Sequence, residues 1–300
     1  MSSAEVSIAQ LWVYPVKSCA GISVLSSALT ETGLEWDRAW MVVDAQGQAL
    51  TQRELPAMAL IQTRIRLSDI QLRAPGMLGL HLSMHEVEEP LTVQVWGDTV
   101  QAYGMGALAS QWLGDFLSQT ERGKNILQQR GPFQLVRFDP EQQRHSDTEW
   151  TQGVTALNQF SDGFPLLVVS EASLTELNRR LQAEGLAPVT MERFRPNLVL
   201  SGLSAHQEDE LKTLHIEVDG KSLVLQLVKP CGRCGIPDVN PLTGETDDAV
   251  GRVLRSYRQD ARLKGQASFG MNAIVTQGLV AADSEEAEPV LKVSMKVLVS

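Results

Sequence analysis

The sequence predicts a mainly β protein with flanking helices (α+β), its N-terminal part a sandwich or barrel. Short apolar runs of strand length recur between Gly, Pro, Asn and Asp punctuation. Three stretches carry apolar residues at helical spacing instead, around 107–119, 173–181 and 248–261. At 300 residues, with 43% hydrophobic and 21% charged side chains, the chain can bury a large core, and the prior is one large or two medium domains.

In chain order, Val6 to Val16 reads as a strand broken by Pro15 and followed by the loop Pro15-Val16-Lys17-Ser18-Cys19-Ala20-Gly21. Ile22 to Leu25 is the next strand, and Ala39 to Asp44 reads as a strand buried on both faces. Ala45-Gln46-Gly47-Gln48 turns it into a partner at Ala49 to Arg53, so that Arg38 and Arg53 bracket a hairpin. Strand-like pieces follow at 60–67, 70–73, 79–84 and 91–103, the last turning at Gly97-Asp98. Ala109, Trp112, Leu113 and Phe116 then mark a helix over 107–119. The polar run Thr120-Glu121-Arg122-Gly123-Lys124 is the expected boundary, giving domains 1–121 and 122–300.

Phe133 to Phe138 is the next strand, and Glu141 to Gln152 is polar enough to read as a surface loop. Pro165 to Ser170 reads as a buried strand entering a helix, with Ser173 and Glu176 as a capping box. Ser170 lies at that joint, where free backbone N–H groups favour an anion. Arg195 and Asn197 open another strand. Asp219-Gly220 is a two-residue hairpin signal leading back to the cysteines, and 248–261 reads as a helix. The runs 269–275 and 292–299 close the fold as strands, and the acidic run Asp283-Ser284-Glu285-Glu286-Ala287-Glu288 reads as a solvated loop.

A net charge of −10 argues against nucleic acid as a partner, because phosphate neutralisation needs clustered Lys and Arg. No basic N-terminal flank precedes an apolar region, and no apolar run reaches membrane-span length, so the expectation is a cytoplasmic protein with no membrane contact. Three cysteines, Cys19, Cys231 and Cys234, are too few for a disulfide framework.

Cys231-x-x-Cys234 sits between an apolar run and a turn rich in Pro, Asn, Thr and Gly. Structural zinc would need four protein ligands, and no histidine lies nearby. A thioredoxin-type dithiol needs a following helix, which Pro237 and Pro241 break. Two buried structural cysteines, or one thiolate bound to a soft redox-active metal, remain. Arg233 favours the latter, since a neighbouring guanidinium lowers a thiol pKa and offers a fork for phosphate. Lys17, Arg38, Arg53 and Arg195 recur at loop–strand junctions with Ser18, Ser170 and Asn197, the pattern of an anion pocket assembled from several segments. Taken singly, each is a solvated surface side chain. The five histidines are unclustered, and no phosphate-binding glycine loop is present.

Five motifs in order, Tyr14-Pro15-Val16-Lys17-Ser18, Asp37-Arg38, Ser170-Glu171-Ala172-Ser173-Leu174, Phe194-Arg195-Pro196-Asn197 and Lys229-Pro230-Cys231-Gly232-Arg233-Cys234, resemble the MOSC family over nearly the whole chain. Within it the chain resembles the mitochondrial amidoxime-reducing component and its bacterial counterparts. The resemblance implies an N-terminal MOSC β-barrel domain, a MOSC β-barrel domain, and a molybdenum–molybdopterin cofactor between them. It places Cys234 on the metal, and Lys17, Ser18, Arg38, Ser170, Arg195, Asn197, Arg233 and Asn272 on the pterin or its phosphate, with Cys231 in a supporting role. The implied activity is reduction of small N-hydroxylated substrates such as hydroxylaminopurines and amidoximes. Some bacterial relatives carry an iron–sulfur domain; this sequence has no cysteine after Cys234, so the expected electron source is a separate protein of the ferredoxin or flavin reductase type. The alternative is a carrier of the molybdenum cofactor or a sulfur-transfer protein without reductase activity.

Overall fold

A computed structural model describes residues 5–85, 87–280, 284 and 286–300. Part of the acidic run, at 283 and 285, lies outside them; Ser284 and Glu286 to Glu288 are exposed. Strands dominate, with five α-helices beside them among the described residues, so the mainly β class with flanking helices is what is observed.

The largest sheet has eight strands in the order Leu298–Val299, Thr213–Val218, Lys221–Gly232, Ser268–Gln277, Leu166–Ser170, Leu198–Ser201, Ser7–Val13 and Ile22–Val24. Leu166–Ser170 and Leu198–Ser201 run parallel, and the helix Glu171–Ala183 makes the crossover that parallel neighbours require. The remaining pairs in this sheet are antiparallel. Asp219 and Gly220, at φ +50° and +77°, close the hairpin between Thr213–Val218 and Lys221–Gly232, as the Asp-Gly pair predicts.

A four-stranded sheet orders Trp40–Val43, Gln134–Phe138, Asp98–Gly104 and Pro90–Val95, and a three-stranded one holds Gln62–Ile65, Asp69–Arg73 and Leu80–Ser83. Both have an open strand order, and they share one core in which Trp40 and Val42 meet Ile70, Leu80 and Leu113. A further core under the large sheet joins Ile8 and Leu11 to Leu198, Leu214 and Leu225.

Pairing crosses the expected division at 121/122 in both directions. Ser7–Val13 pairs with Leu198–Ser201, and Gln134–Phe138 is inserted between Trp40–Val43 and Asp98–Gly104. Each would otherwise expose a row of unpaired backbone groups.

Four local expectations change. Thr120–Lys124 is a helix start: Glu121–Arg130 is helical, and Thr120 caps it by accepting from the Gly123 N–H at 3.1 Å. Ala49 to Arg53 pairs only at Ala49, because Thr51 O accepts from Glu54 and Leu55 and Pro56 opens a 3-10 turn. The crossover helix starts one turn before Ser173. Ser170 is its cap, and Glu176 pairs with Arg179 and Arg180. Glu141 to Gln152 is a tethered segment, with Arg144, Ser146 and Thr151 buried.

Candidate functional site

The strand Ser7–Val13 delivers Tyr14 to Cys19 into a turn whose backbone is tied to the next segment. Lys17 N donates to Trp40 O at 2.8 Å, Arg38 N to Tyr14 O at 2.9 Å, and Trp40 N to Pro15 O at 3.0 Å. Ser18, Arg38 and Arg195 all adopt left-handed backbone, at φ +65°, +53° and +57°. Such conformations cost of order 1 kcal/mol or more for residues with a Cβ and persist only where the surroundings over-determine them. All three line a single cleft of about 810 Å³, its open mouth included, together with Lys17, Asn197, Cys231, Arg233, Cys234 and Asn272.

Arg38 and Arg195 clamp the Tyr14 ring, their guanidinium carbons 4.5 and 4.3 Å from its centroid. Arg38 pairs with the buried Asp37 carboxylate and donates to Asn197 Oδ1 at 3.2 Å and to Arg195 O at 3.0 Å. Arg195 donates to Cys19 O at 2.6 Å, while its Nη2 is buried without a partner. Burial, with Arg38 repelling it, lowers Arg195 to about 10, so it stays charged at neutral pH. Burial also raises the Tyr14 phenol above its ordinary range.

Asn197 faces the fold. Its Oδ1 also accepts from Leu167 N at 3.1 Å, and its Nδ2 donates to Trp12 O at 3.2 Å, which fixes Arg38 and the strand ends together. Lys17 Nζ donates to Phe160 O at 2.7 Å and pairs with Asp162; burial lowers its pKa, and Asp162 opposes that shift.

Arg233 follows the end of Lys221–Gly232 and gives its fork to neutral carbonyls, Phe269 O at 3.0 and 2.6 Å and Phe194 O at 3.0 Å. Its charge is therefore oriented but uncompensated. Cys231 is the penultimate residue of the strand and Cys234 lies two residues beyond its end, both half-buried. Burial raises the Cys231 thiol and outweighs Arg233, contrary to the activation that the sequence suggests for a neighbouring guanidinium. Cys19 is fully buried, and its thiol is pushed up to about 12. Asn272 Nδ2 donates to Lys229 O at 3.2 Å, linking the strand before the cysteines to the cleft wall.

Ser170 is the predicted site residue that the fold does not bring to the cleft. It is fully buried, its Oγ accepts from Ser173 N at 3.1 Å, and its N–H donates to Glu208 Oε1 at 3.2 Å. At the joint that suggested an anion site, the Ser173 N–H is taken by that cap and the Ser170 N–H by the carboxylate.

The cleft also gathers Thr51, Ser161, Asp162, Gly163 and Phe164, which sequence reasoning missed. The loop over 161–164 is held by buried Arg144, which donates to Asn158 Oδ1 at 2.6 Å, Gln159 O at 2.8 Å and Ser161 O at 2.6 Å. Nothing local marks it; the Arg144 network, with Lys17 on Phe160 O and Asp162 and Trp96 on Asp162, fixes its position.

The residues present fit an anionic, metal-bearing organic cofactor. Lys17, Arg38, Arg53, Arg195 and Arg233 line the cleft against the one carboxylate of Asp162, in a chain of net charge −10. The unpartnered Nη2 of Arg195 offers a donor. Two thiols supply soft ligands, and among the described residues no three His, Cys, Asp or Glu side chains gather as a metal-binding group. A metal here would take thiolate ligation from the chain and its remaining ligands from the organic group.

Residues 5–120 match the MOSC N-terminal beta barrel domain, and residues 156–285 match the MOSC domain. The chain is 32% identical over 260 residues to mitochondrial amidoxime-reducing component 1 of Mus musculus, covering 84% of this chain and 71% of that protein. It is 31% identical over 264 residues to the Homo sapiens protein of the same name, covering 84% and 72%. Against the molybdenum cofactor sulfurase of Bos taurus it is 28% identical over 270 residues, covering 86% of this chain and 29% of that protein. The chain belongs to the MOSC-domain family, in the form that joins a MOSC N-terminal beta barrel domain to a MOSC domain.

Proposed function

We propose that the cleft binds a molybdenum–molybdopterin cofactor and that the protein reduces N-hydroxylated compounds, amidoximes and hydroxylaminopurines among them, with electrons from separate carrier proteins. The observation that carries this reading is the convergence of Cys234 with five cationic side chains on one cleft of an acidic protein. The relatives named amidoxime-reducing components support the reaction type.

Cys234 is the metal thiolate. Arg195, with its free Nη2, and Arg233, with its uncompensated charge, hold the phosphate and the pterin with Lys17, Arg38, Ser18 and Asn272. Asn197 acts by fixing Arg38, and Ser170 is withdrawn from the contact set because it caps a helix. When bound, the cofactor supplies the two-electron chemistry that removes an oxygen atom from nitrogen. Reduction of an N–OH group to N–H releases water and consumes two protons. Lys17 Nζ, buried on the cleft wall and held by Phe160 O and Asp162, is an amine of the chain able to supply a proton there. The cytoplasmic setting belongs to this proposal, as a compartment that keeps Cys231 and Cys234 reduced.

Protein produced in a host that makes the cofactor, supplied with a reduced one-electron donor, is expected to convert an N-hydroxylated base to the parent amine. Cys234→Ser is expected to lose that activity by about a hundredfold or more, on the scale of removing a group essential to the reacting centre. Unchanged turnover in Cys234→Ser would refute the reading. A persulfide on metal-free, inactive protein would favour sulfur transfer instead.

A further inference from the structure

A second recess, about 490 Å³ with its mouth included, lies against the cleft and is lined by Lys17, Gln48, Thr51, Arg53, Gln94 and Trp96, among others. Lys17, Thr51 and Arg53 line both spaces, so the recess and the cleft share a wall.

Trp96 is the unusual member. It sits at the turn between Pro90–Val95 and Asp98–Gly104 with φ +58°, a left-handed conformation that is costly for a bulky side chain, and it is 54% exposed. Two contacts fix it. The Arg53 guanidinium carbon stacks 4.3 Å from its ring centroid, and its Nε1 donates to Asp162 Oδ1 at 3.1 Å, the carboxylate oxygen that pairs with Lys17. A cation thus lies on one face of the indole and its N–H edge is anchored, while about half of the residue stays exposed. Gln48 and Gln94 are bridged through their backbones, and their side-chain amides make no hydrogen bond among the described residues. An amide offers a donor and an acceptor side by side, the pattern that pairs with the edge of a nucleobase.

We propose that this recess is a substrate-recognition subsite that takes planar N-hydroxylated heteroaromatic bases, stacked on Trp96 and read at the ring edge by Gln48 and Gln94. Aliphatic N-hydroxylated compounds gain no stacking there, so the subsite makes the enzyme prefer planar substrates. The inference rests on the reductase reading for the reaction and on the recess for recognition.

Two measurements on the full chain test it: calorimetric binding of adenine, a planar base that cannot be reduced, and the ratio of kcat/KM for hydroxylaminopurine to that for an aliphatic amidoxime. Trp96→Ala is expected to weaken adenine binding and to lower the ratio, each by about tenfold, the size of one base–aromatic stack. Trp96→Phe, which keeps a π face but loses the N–H to Asp162, is expected to restore both to within about threefold, since stacking tolerates a change of ring. No adenine binding by wild type at millimolar concentration, unchanged values in Trp96→Ala, or a Trp96→Phe variant as impaired as Trp96→Ala would overturn the subsite. If neither substrate is reduced while adenine binding keeps its dependence on Trp96, the reductase reading fails and the subsite stands. If both are reduced with a ratio indifferent to Trp96, the reverse holds.

Discussion

Arg195 joins strain, charge and hydrogen bonding in one side chain: left-handed backbone, a guanidinium clamped on Tyr14, and one nitrogen left unpartnered. Burying such a group is unfavourable in the protein alone, so the cost makes sense where an anion completes the set. His206 shows the same cost without a site role. Both ring nitrogens are buried and unpartnered, and burial, with Arg258 nearby, lowers its pKa from 6.5 to about 4. The unfolded chain therefore takes up this proton first. The contribution of His206 to stability is full above about pH 6.5 and is lost as pH falls toward 4. Between pH 7 and 5, with solvent screening at this partly exposed ring, that amounts to about 1 kcal/mol. Urea unfolding at the two pH values is expected to show a smaller acid loss in His206→Gln than in wild type. Comparing the variant with wild type cancels Glu208 and Asp209, whose raised values act with opposite sign. An identical acid loss in both proteins would contradict a neutral, desolvated His206.

At the scale of elements, the strand Ser268–Gln277 positions the site twice, through Phe269 O on Arg233 and through Asn272 on Lys229 O. Gly270 makes this possible: at φ +80° a Cβ would meet Val169 Cγ2 at 2.6 Å and Val168 O at 2.7 Å. Gly270→Ala is expected to cost about 2 kcal/mol or more in urea unfolding, since strained backbone and overpacking act together. An unshifted midpoint would contradict this register. Many elements were legible in the sequence where local chemistry decides them, as at Asp219-Gly220 and in the helix carrying Trp112 and Phe116. The helix Glu121–Arg130 was not, because it is polar and buries only Gly123, whose added Cβ would lie 1.9 Å from Leu117 O. The Ser170 cap is hidden for a related reason: Ser170 and Ser173 are both capping residues, and which one caps depends on where the buried strand ends.

Across the whole molecule, the cleft exists because strands distant in sequence pair, and the N-terminal strand joining the C-terminal sheet is what brings Lys17 and Ser18 toward Arg195 and Cys234. The motif residues could be named from sequence because each carries distinctive chemistry. Asp162, Thr51 and Trp96 could not, since their place depends on Arg144, on the turn after Trp40–Val43 and on the tip of a distant hairpin. In the function proposed above, Cys234 is the chain's one metal ligand and the basic cleft holds the rest of the cofactor. Metal analysis of protein purified from a cofactor-competent host tests this directly. Near-stoichiometric molybdenum is expected in wild type and Cys231→Ser, with loss of most of the metal in Cys234→Ser. Full molybdenum in Cys234→Ser, or none in folded wild type, would contradict it.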